Sequence, residues 1–168
     1  KVLGASLVVG TAGSADKLVQ AAALGLDVGV NYREEDFAEE VLKATSGRGV
    51  DVILDVIGAD YWDRNMKALA QKGRMILVGL MGGNSTNANI GVLLQKRASV
   101  RGTTLRGRPI EEKGMATRAF EKSVLPHIAS GRIKVVVDRV YPLADAAAAQ
   151  EYMAANQNFG KVVLRVGE

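Results

Sequence analysis

Residues 49–83 read G-V-D-V-I-L-D-V-I-G-A-D-Y-W-D-R-N-M-K-A-L-A-Q-K-G-R-M-I-L-V-G-L-M-G-G. Residues 50–56 and 74–79 are apolar runs that each lead into glycine, and residues 60–71 between them have helical composition. Strands buried on both faces and joined through a helix pair in parallel. Sheets of that kind collect ligands at the carboxyl edge of their strands. An absence counts as much, because no G-x-G-x-x-G turn stands upstream to open a dinucleotide-binding unit.

Working outward, residues 6–9 (S-L-V-V) read as a short strand closed by G-T-A-G, and Ser14 precedes a helical stretch that Gly25 stops. Residues 28–32 (V-G-V-N-Y) form a second strand. Glu34, Glu35 and Asp36 suit the start of the next helix, and Gly47 suits its end. Downstream come a polar loop, a short helix in I-G-V-L-L-Q-K-R, a fifth strand in S-V-R-G-T-T-L, and helix over 109–130 with Pro126 breaking it near its end. The tail offers V-V-V-D-R-V-Y-P, an alanine-rich helix over about 143–156, and a last strand in G-K-V-V-L-R-V. Strands alternating with helices predict an α/β fold with a mostly parallel sheet. Residues 131–134 make a seam between the main sheet and the tail.

The 168 residues are 48% hydrophobic, enough for one domain with a sizeable core. Lys and Arg number 22 against 18 Asp and Glu, a formal charge of +4 that is too mild and interspersed for a dedicated nucleic-acid binder. The basic residues Lys96, Arg97, Arg101, Arg106, Arg108 and Lys113 have no interleaved aromatics for base stacking and read as a solvated face. No cysteine is present, which removes thiolate nucleophiles and Cys-based zinc and fits a reducing, cytoplasmic setting. The opening K-V-L-G-A has neither a signal peptide nor a long apolar run, so a membrane location has no support, and it reads as the middle of a longer protein. His127, the single histidine, has no acid at triad-like spacing and no G-x-S-x-G nucleophile.

Residues 10–17 (G-T-A-G-S-A-D-K) hold the first candidate site. NAD binders place an acid at this strand tip to accept from the ribose 2′-hydroxyl. Here Thr11 and Ser14 offer hydroxyls and Lys17 a positive charge, which favours a 2′-phosphate and therefore NADP. The other reading is an ordinary turn with Ser14 as a helix cap. Tyr32 and Arg33 follow the next strand and could face an adenosine group or the solvent. Asp55 lies in an apolar run and needs donors, as a residue capping the strand end would have. Residues 78–83 (V-G-L-M-G-G) either admit a flat ring or pyrophosphate closely or merely supply positive φ.

The succession V-N-Y-R-E-E-D-F, G-V-D-V-I-L-D-V-I-G, Y-W-D-R-N, G-R-M-I-L-V-G-L-M-G-G, L-P-H-I-A-S-G-R-I-K and D-R-V-Y-P-L-A-D-A-A-A-A-Q-E-Y-M-A-A-N-Q-N-F-G-K-V-V-L resembles the zinc-independent NADPH:quinone oxidoreductases of the medium-chain dehydrogenase/reductase superfamily. The likeness is greatest to the tumour-suppressor-induced branch and covers essentially the whole chain. It implies a Rossmann-like, doubly wound parallel sheet lacking its first strand and Gly-rich loop. Residues 1–131 would be a partial nucleotide-binding domain, and residues 132–168 a segment returning toward a missing GroES-like catalytic domain.

By the same resemblance, NADPH is the cofactor, a quinone or another activated carbonyl compound the substrate, and no metal takes part. Ser14, Lys17 and Tyr32 match positions around the 2′-phosphate. Gly79, Leu80, Met81, Gly82, Thr103 and Leu105 match segments near the nicotinamide. Asn158, with Lys161, matches a tail that closes over the cofactor. No catalytic residue is nominated, since the substrate side belongs mostly to the other domain. The parent protein is expected to be a homodimer joined through the edge strand at 99–105. Other zinc-free medium-chain reductases, or a noncatalytic nucleotide-binding module, are the alternatives. In the strand order 3-2-1-4-5-6 the first strand is central, so its loss predicts a break between strands 2 and 3 on one side and 4, 5 and 6 on the other.

Overall fold

A computed structural model describes residues 1–167. It divides into two compact units, one of Leu7–Met115 and one that joins Lys1–Ser6 to the chain from Ala116 onward. The first unit runs β1 (Val9–Ala12), α1 (Ala15–Ala22), β2 (Val28–Asn31), α2 (Phe37–Ala44), β3 (Val50–Asp55), α3 (Trp62–Ala68), β4 (Leu69–Leu77), α4 (Gly91–Lys96) and β5 (Ser99–Gly102). Helix α5 (Ile110–Ser123) spans the division in sequence, and α6 (Leu125–Ala129), β6 (Val137–Pro142), α7 (Ala146–Ala154) and β7 (Lys161–Arg165) follow.

All strand pairs are parallel, and the expected break is present. β1 pairs with β2, and β3, β4 and β5 form a separate sheet in that order. Among the described residues, β1 and β3 therefore each use one edge only. Helices α2 and α3 cover one face of both sheets. Their core of Val30, Phe37, Ala38, Val41 and Ala68 packs Val9 and Val28 of the first sheet together with Val50 and Ile53 of β3. On the opposite face Val52 and Leu54 of β3 are 51% and 70% exposed, although their sequence pattern is that of a strand buried on both sides.

Local chemistry explains most element boundaries. Asp36 caps α2 by accepting from Ala38 N at 2.8 Å, and Glu39 and Glu40 occupy its first turn, where the helix dipole favours negative charge. Gly47 ends α2 at φ +82°, its amide donating to Leu42 O at 2.7 Å. Three expected boundaries move. The first strand lies at 9–12 rather than 6–9, because Asp27 Oδ2 takes the Val8 amide at 2.7 Å and the ladder with β2 starts at Val9↔Val28. Helix α3 stops at Ala68 rather than at 71, since Leu69 turns extended to pair with Val50. Residues 70–73 then form a bulge with Lys72 at φ +60° before Arg74 pairs with Val52. Pro126 does not end a helix but stands in the first turn of α6, where its missing N–H costs nothing, and the interruption falls at Val124.

The second core of the first unit is Met66, Leu69 and Met75, with Ile53, Trp62, Leu77, Val92 and Val100 against it. Lys96 closes the end of α3 by donating from Nζ to Met66 O at 2.6 Å and Lys67 O at 2.9 Å, a cation at a helix C-terminus. Met75 is fully buried. Met75→Ala is expected to cost about 2–4 kcal/mol of stability, read as a lower urea midpoint at unchanged slope. A loss below about 1 kcal/mol would show that this core collapses around the deletion.

In the second unit β6 and β7 pair in parallel, with α7 between them in sequence. Asp138 ties the pieces together by accepting from the Tyr152 hydroxyl at 2.9 Å and from Phe159 N at 3.2 Å.

Candidate functional site

The ends of β1, β2 and β3 meet at one edge of the first unit. Asn31, nearly buried at the end of β2, shapes the turn that follows. Its Oδ1 accepts from Arg33 N at 3.2 Å, its carbonyl from Glu34 N and Glu35 N, and its own amide donates to Glu35 at 3.1 Å. This Asx-type turn leaves Tyr32 and Arg33 at the strand tip, where Tyr32 N donates to Ala12 O at 3.2 Å. The two side chains lie against the tip of β1. A Cβ built on Gly13 would meet the Tyr32 hydroxyl at 2.7 Å and Arg33 Nε at 3.1 Å, so only glycine lets them sit there.

Ser14 occupies the position before α1 but makes no side-chain cap hydrogen bond. The capping alternative for this serine is therefore not the one the structure takes. Lys17 follows in the first turn of α1, half-buried. Ser14, Lys17, Tyr32 and Arg33 thus supply hydroxyl, ammonium, phenol and guanidinium donors around the β1 and β2 tips, the donor types an anionic phosphate needs.

Asp55, 4% exposed, does what its place at a strand end predicts. Its carboxylate accepts from Ile57 N at 2.7 Å and Gly58 N at 3.1 Å, which turns the chain after β3. Tyr61 stands beyond that turn, at the end of a 3-10 turn over Ala59–Tyr61. Burial pushes the pKa of its phenol up, against the opposing effects of the Thr11 side chain and of Arg64. The ring lies 4.8 Å from that of Phe37, and Arg64 Cζ sits 4.5 Å from its centroid.

The glycines after β4 let two turns approach each other closely. Met81 N and Gly82 N donate to Val56 O and Ile57 O at 3.2 and 2.7 Å, and Ala59 N donates to Gly83 O at 3.0 Å. A Cβ on Gly79 would meet Val56 O at 2.8 Å, and one on Gly82 would meet Ile57 Cγ2 at 2.7 Å. The turns after β3 and β4 thus press backbone against backbone, and Gly83 alone of the three has positive φ. Leu80 and Met81 project outward, 55% and 82% exposed. After β5, Thr103 N donates to Leu77 O at 2.9 Å, and Arg108 holds the loop through Thr103 Oγ1 at 2.6 Å and Thr104 O at 2.7 Å, with Leu105 exposed. All these residues belong to the first unit. Asn158 belongs to the second, where its Nδ2 donates to Gly160 O at 3.0 Å in the turn entering β7.

Metal ligands are not among these groups. Among the described residues no cluster of three His, Cys, Asp or Glu side chains converges. His127 stands beside Arg132, with 3.4 Å between Nδ1 and Nη1. No described helix is long and apolar enough to cross a membrane.

Residues 24–164 match the family model described as zinc-binding dehydrogenase. A search of curated proteins gives no significant match. Among solved structures, an NAD-dependent alcohol dehydrogenase is 34% identical, with a TM-score of 0.76, over 96% of this chain and 44% of that one. The Escherichia coli quinone oxidoreductase complexed with NADPH is 34% identical, with a TM-score of 0.78, over 95% of this chain and 49% of that one. A 2-haloacrylate reductase is 29% identical, with a TM-score of 0.75, over 96% of this chain and 50% of that one. The chain thus spans about half the length of the solved structures it matches. A parallel α/β sheet with its ligand-type donors at the strand tips, matched over most of its length by that family model, places this chain in the zinc-binding dehydrogenase family of medium-chain oxidoreductases.

Proposed function

We propose that this chain is the cofactor-binding part of an NADPH-dependent oxidoreductase that reduces a quinone without a metal. The observation that carries the reading is the β1 tip, where Tyr32 and Arg33 lie over Gly13 beside Ser14, which makes no cap hydrogen bond, with Lys17 in the first turn of α1. An NAD site would place an acid at the strand tip, and residues 11–14 contain none. The NADPH-bound quinone oxidoreductase among the similar structures supports the same choice, while the NAD-dependent alcohol dehydrogenase makes cofactor choice the point to test. The described residues do not fit the zinc of the family's description, having no cluster of three His, Cys, Asp or Glu side chains.

In this reading Ser14, Lys17, Tyr32 and Arg33 hold the 2′-phosphate. Gly79, Leu80, Met81 and Gly82, with Thr103 and Leu105, border the nicotinamide end. The bound cofactor supplies a hydride, and a quinone that accepts it with one proton leaves as hydroquinone. The protein's part is orientation and electrostatics. A homodimer through the outer edge of β5, which pairs only with β4 among the described residues, belongs to the same reading. The 2-haloacrylate reductase favours a second reading, in which an activated alkene takes the place of the quinone.

Calorimetric titration of the full-length polypeptide is expected to give NADPH binding at least about tenfold tighter than NADH, the effect of one charge-assisted contact. Turnover with a quinone panel and an acrylate panel then separates the two substrates. Equal affinity for the two cofactors would remove the NADPH reading, and no turnover with any quinone would leave the alkene.

A further inference from the structure

We propose that Arg108 is a positioning residue for the hydride-transfer end of the site, clasping the loop after β5 and so fixing where Thr103 and Leu105 stand. The inference rests on the reading of that loop as the border of the nicotinamide. Its basis is a departure from the sequence pattern. Arg108 belongs to the basic stretch that reads as a solvated face, and its neighbours Arg101 and Arg106 are exposed as that reading requires. The Arg108 side chain is only 33% exposed and lies back along its own loop.

Three successive residues each give one oxygen to Arg108. Its Nη2 donates to Thr103 Oγ1 at 2.6 Å, its Nε to Thr104 O at 2.7 Å, and its backbone amide to Leu105 O at 3.2 Å. The planar guanidinium makes the first two bonds possible together, because its donors diverge in a fixed fork that reaches a hydroxyl and a carbonyl at once. Glu112, in the first turn of α5, adds a carboxylate oxygen 3.9 Å from Nε. At its other end the loop is anchored to the sheet, where Thr103 N donates to Leu77 O at 2.9 Å. One side chain thus sets the course of the loop between β5 and α5. It also sets the role of the Thr103 hydroxyl. A guanidinium only donates, so Thr103 Oγ1 accepts and its own proton points away from Arg108. Hydride transfer needs its reacting atoms about 3–3.5 Å apart, and a misplacement of 1 Å or so costs on the order of a hundredfold in rate.

The test is Arg108→Ala in the full-length polypeptide, read as the single-turnover rate of hydride transfer from NADPH to the quinone or alkene that the wild type reduces. Expected is a fall of about ten- to hundredfold, the effect of a loosened loop. Adenosine 2′,5′-bisphosphate, which carries the 2′-phosphate and no nicotinamide, should bind within about twofold of wild type, since the two ends share no contact. Arg108→Lys, a single point charge that cannot span both oxygens, should recover part of the rate, and so should guanidinium ion added to Arg108→Ala. Arg106→Ala removes an exposed charge from the same loop and should leave the rate within about twofold of wild type. The double variant R108A/T103V should fall little further than Arg108→Ala, because the two side chains act through one bond. An unchanged rate in Arg108→Ala overturns the proposal. So does a lower melting temperature with an equal loss of adenosine 2′,5′-bisphosphate binding, the mark of a merely structural arginine, and so does an equal fall in Arg106→Ala, the mark of charge alone. If the wild-type protein transfers hydride from NADPH to no acceptor, the cofactor reading fails first and the clasp falls with it.

Discussion

Lys17→Glu is expected to weaken NADPH binding by about 30- to 300-fold while leaving NADH binding within a few-fold of wild type. Two effects add. The ammonium's charge-assisted hydrogen bond to the 2′-phosphate is worth roughly 1.5–3 kcal/mol, and the new carboxylate repels the dianion. Lys17 lies in the first turn of α1, three residues beyond Ser14, so the substitution acts where the helix N-terminus otherwise favours an anion. Removing the charge without reversing it, as in Lys17→Ala, should give an intermediate loss of about tenfold. Titration of both cofactors against each variant reads the result. A Lys17→Glu protein whose NADPH affinity stays within threefold would take Lys17 out of the site and leave the edge to Ser14, Tyr32 and Arg33.

Gly49→Val is expected to be the most damaging single substitution in the first unit. Gly49 is buried at φ +83°, and a Cβ there would lie 2.5 Å from Ala68 O and 3.0 Å from Ala70 N. Both obstacles are backbone, at the place where α3 ends and the β3–β4 ladder begins with Val50↔Leu69. Neither can rotate away, so the cost combines left-handed strain for a β-branched residue with displacement of a strand. We expect about 4 kcal/mol or more, a large share of the roughly 5–15 kcal/mol that holds a domain folded. Gly47→Val is the control. Gly47 has nearly the same φ, +82°, but nothing stands within 4 Å of its Cβ position, so only the strain of about 1–3 kcal/mol applies. Thermal unfolding of the pair separates the two causes. Equal effects would show that the approach to Ala68 is not a real constraint.

Much of the fold could be read from residue patterns, and the places where reading slipped share a cause. Strand β3, helix α2 with its acidic first turn and the short helix α4 were legible because local signals define them, namely apolar runs, caps and glycine stops. The end of α3 was not. Residues 69–71 keep a helix-compatible sequence, and only the pairing of Leu69 with Val50, nineteen positions apart by their numbers, pulls the chain straight. The position of β1 slipped for the same reason, since the register with β2 rests on Asp27 holding the Val8 amide.

The candidate site divides in the same way. Ser14, Lys17 and Tyr32 could be proposed from a strand tip without an acid, and Asp55 as a strand-end cap from its place in the run. The glycines at 79–83 could be noticed but not explained, because what fills the space beside them is the backbone of Val56 and the side chains of Ile57, Ala59 and Asp60.

The sequence alone determined the α/β class, the alternation of strands and helices and the absence of cysteine ligands. Each of these is encoded in neighbouring residues or in composition. Only the tertiary structure decided that Ser14 leaves its helix uncapped, that Tyr32 and Arg33 lie over Gly13, and that the β3 and β4 turns interlock. The physical reason is range. Propensities, caps and hydrophobic period act over a few residues, whereas steric exclusion and side-chain hydrogen bonds act between whatever segments the folded chain brings within 3 Å or so of one another.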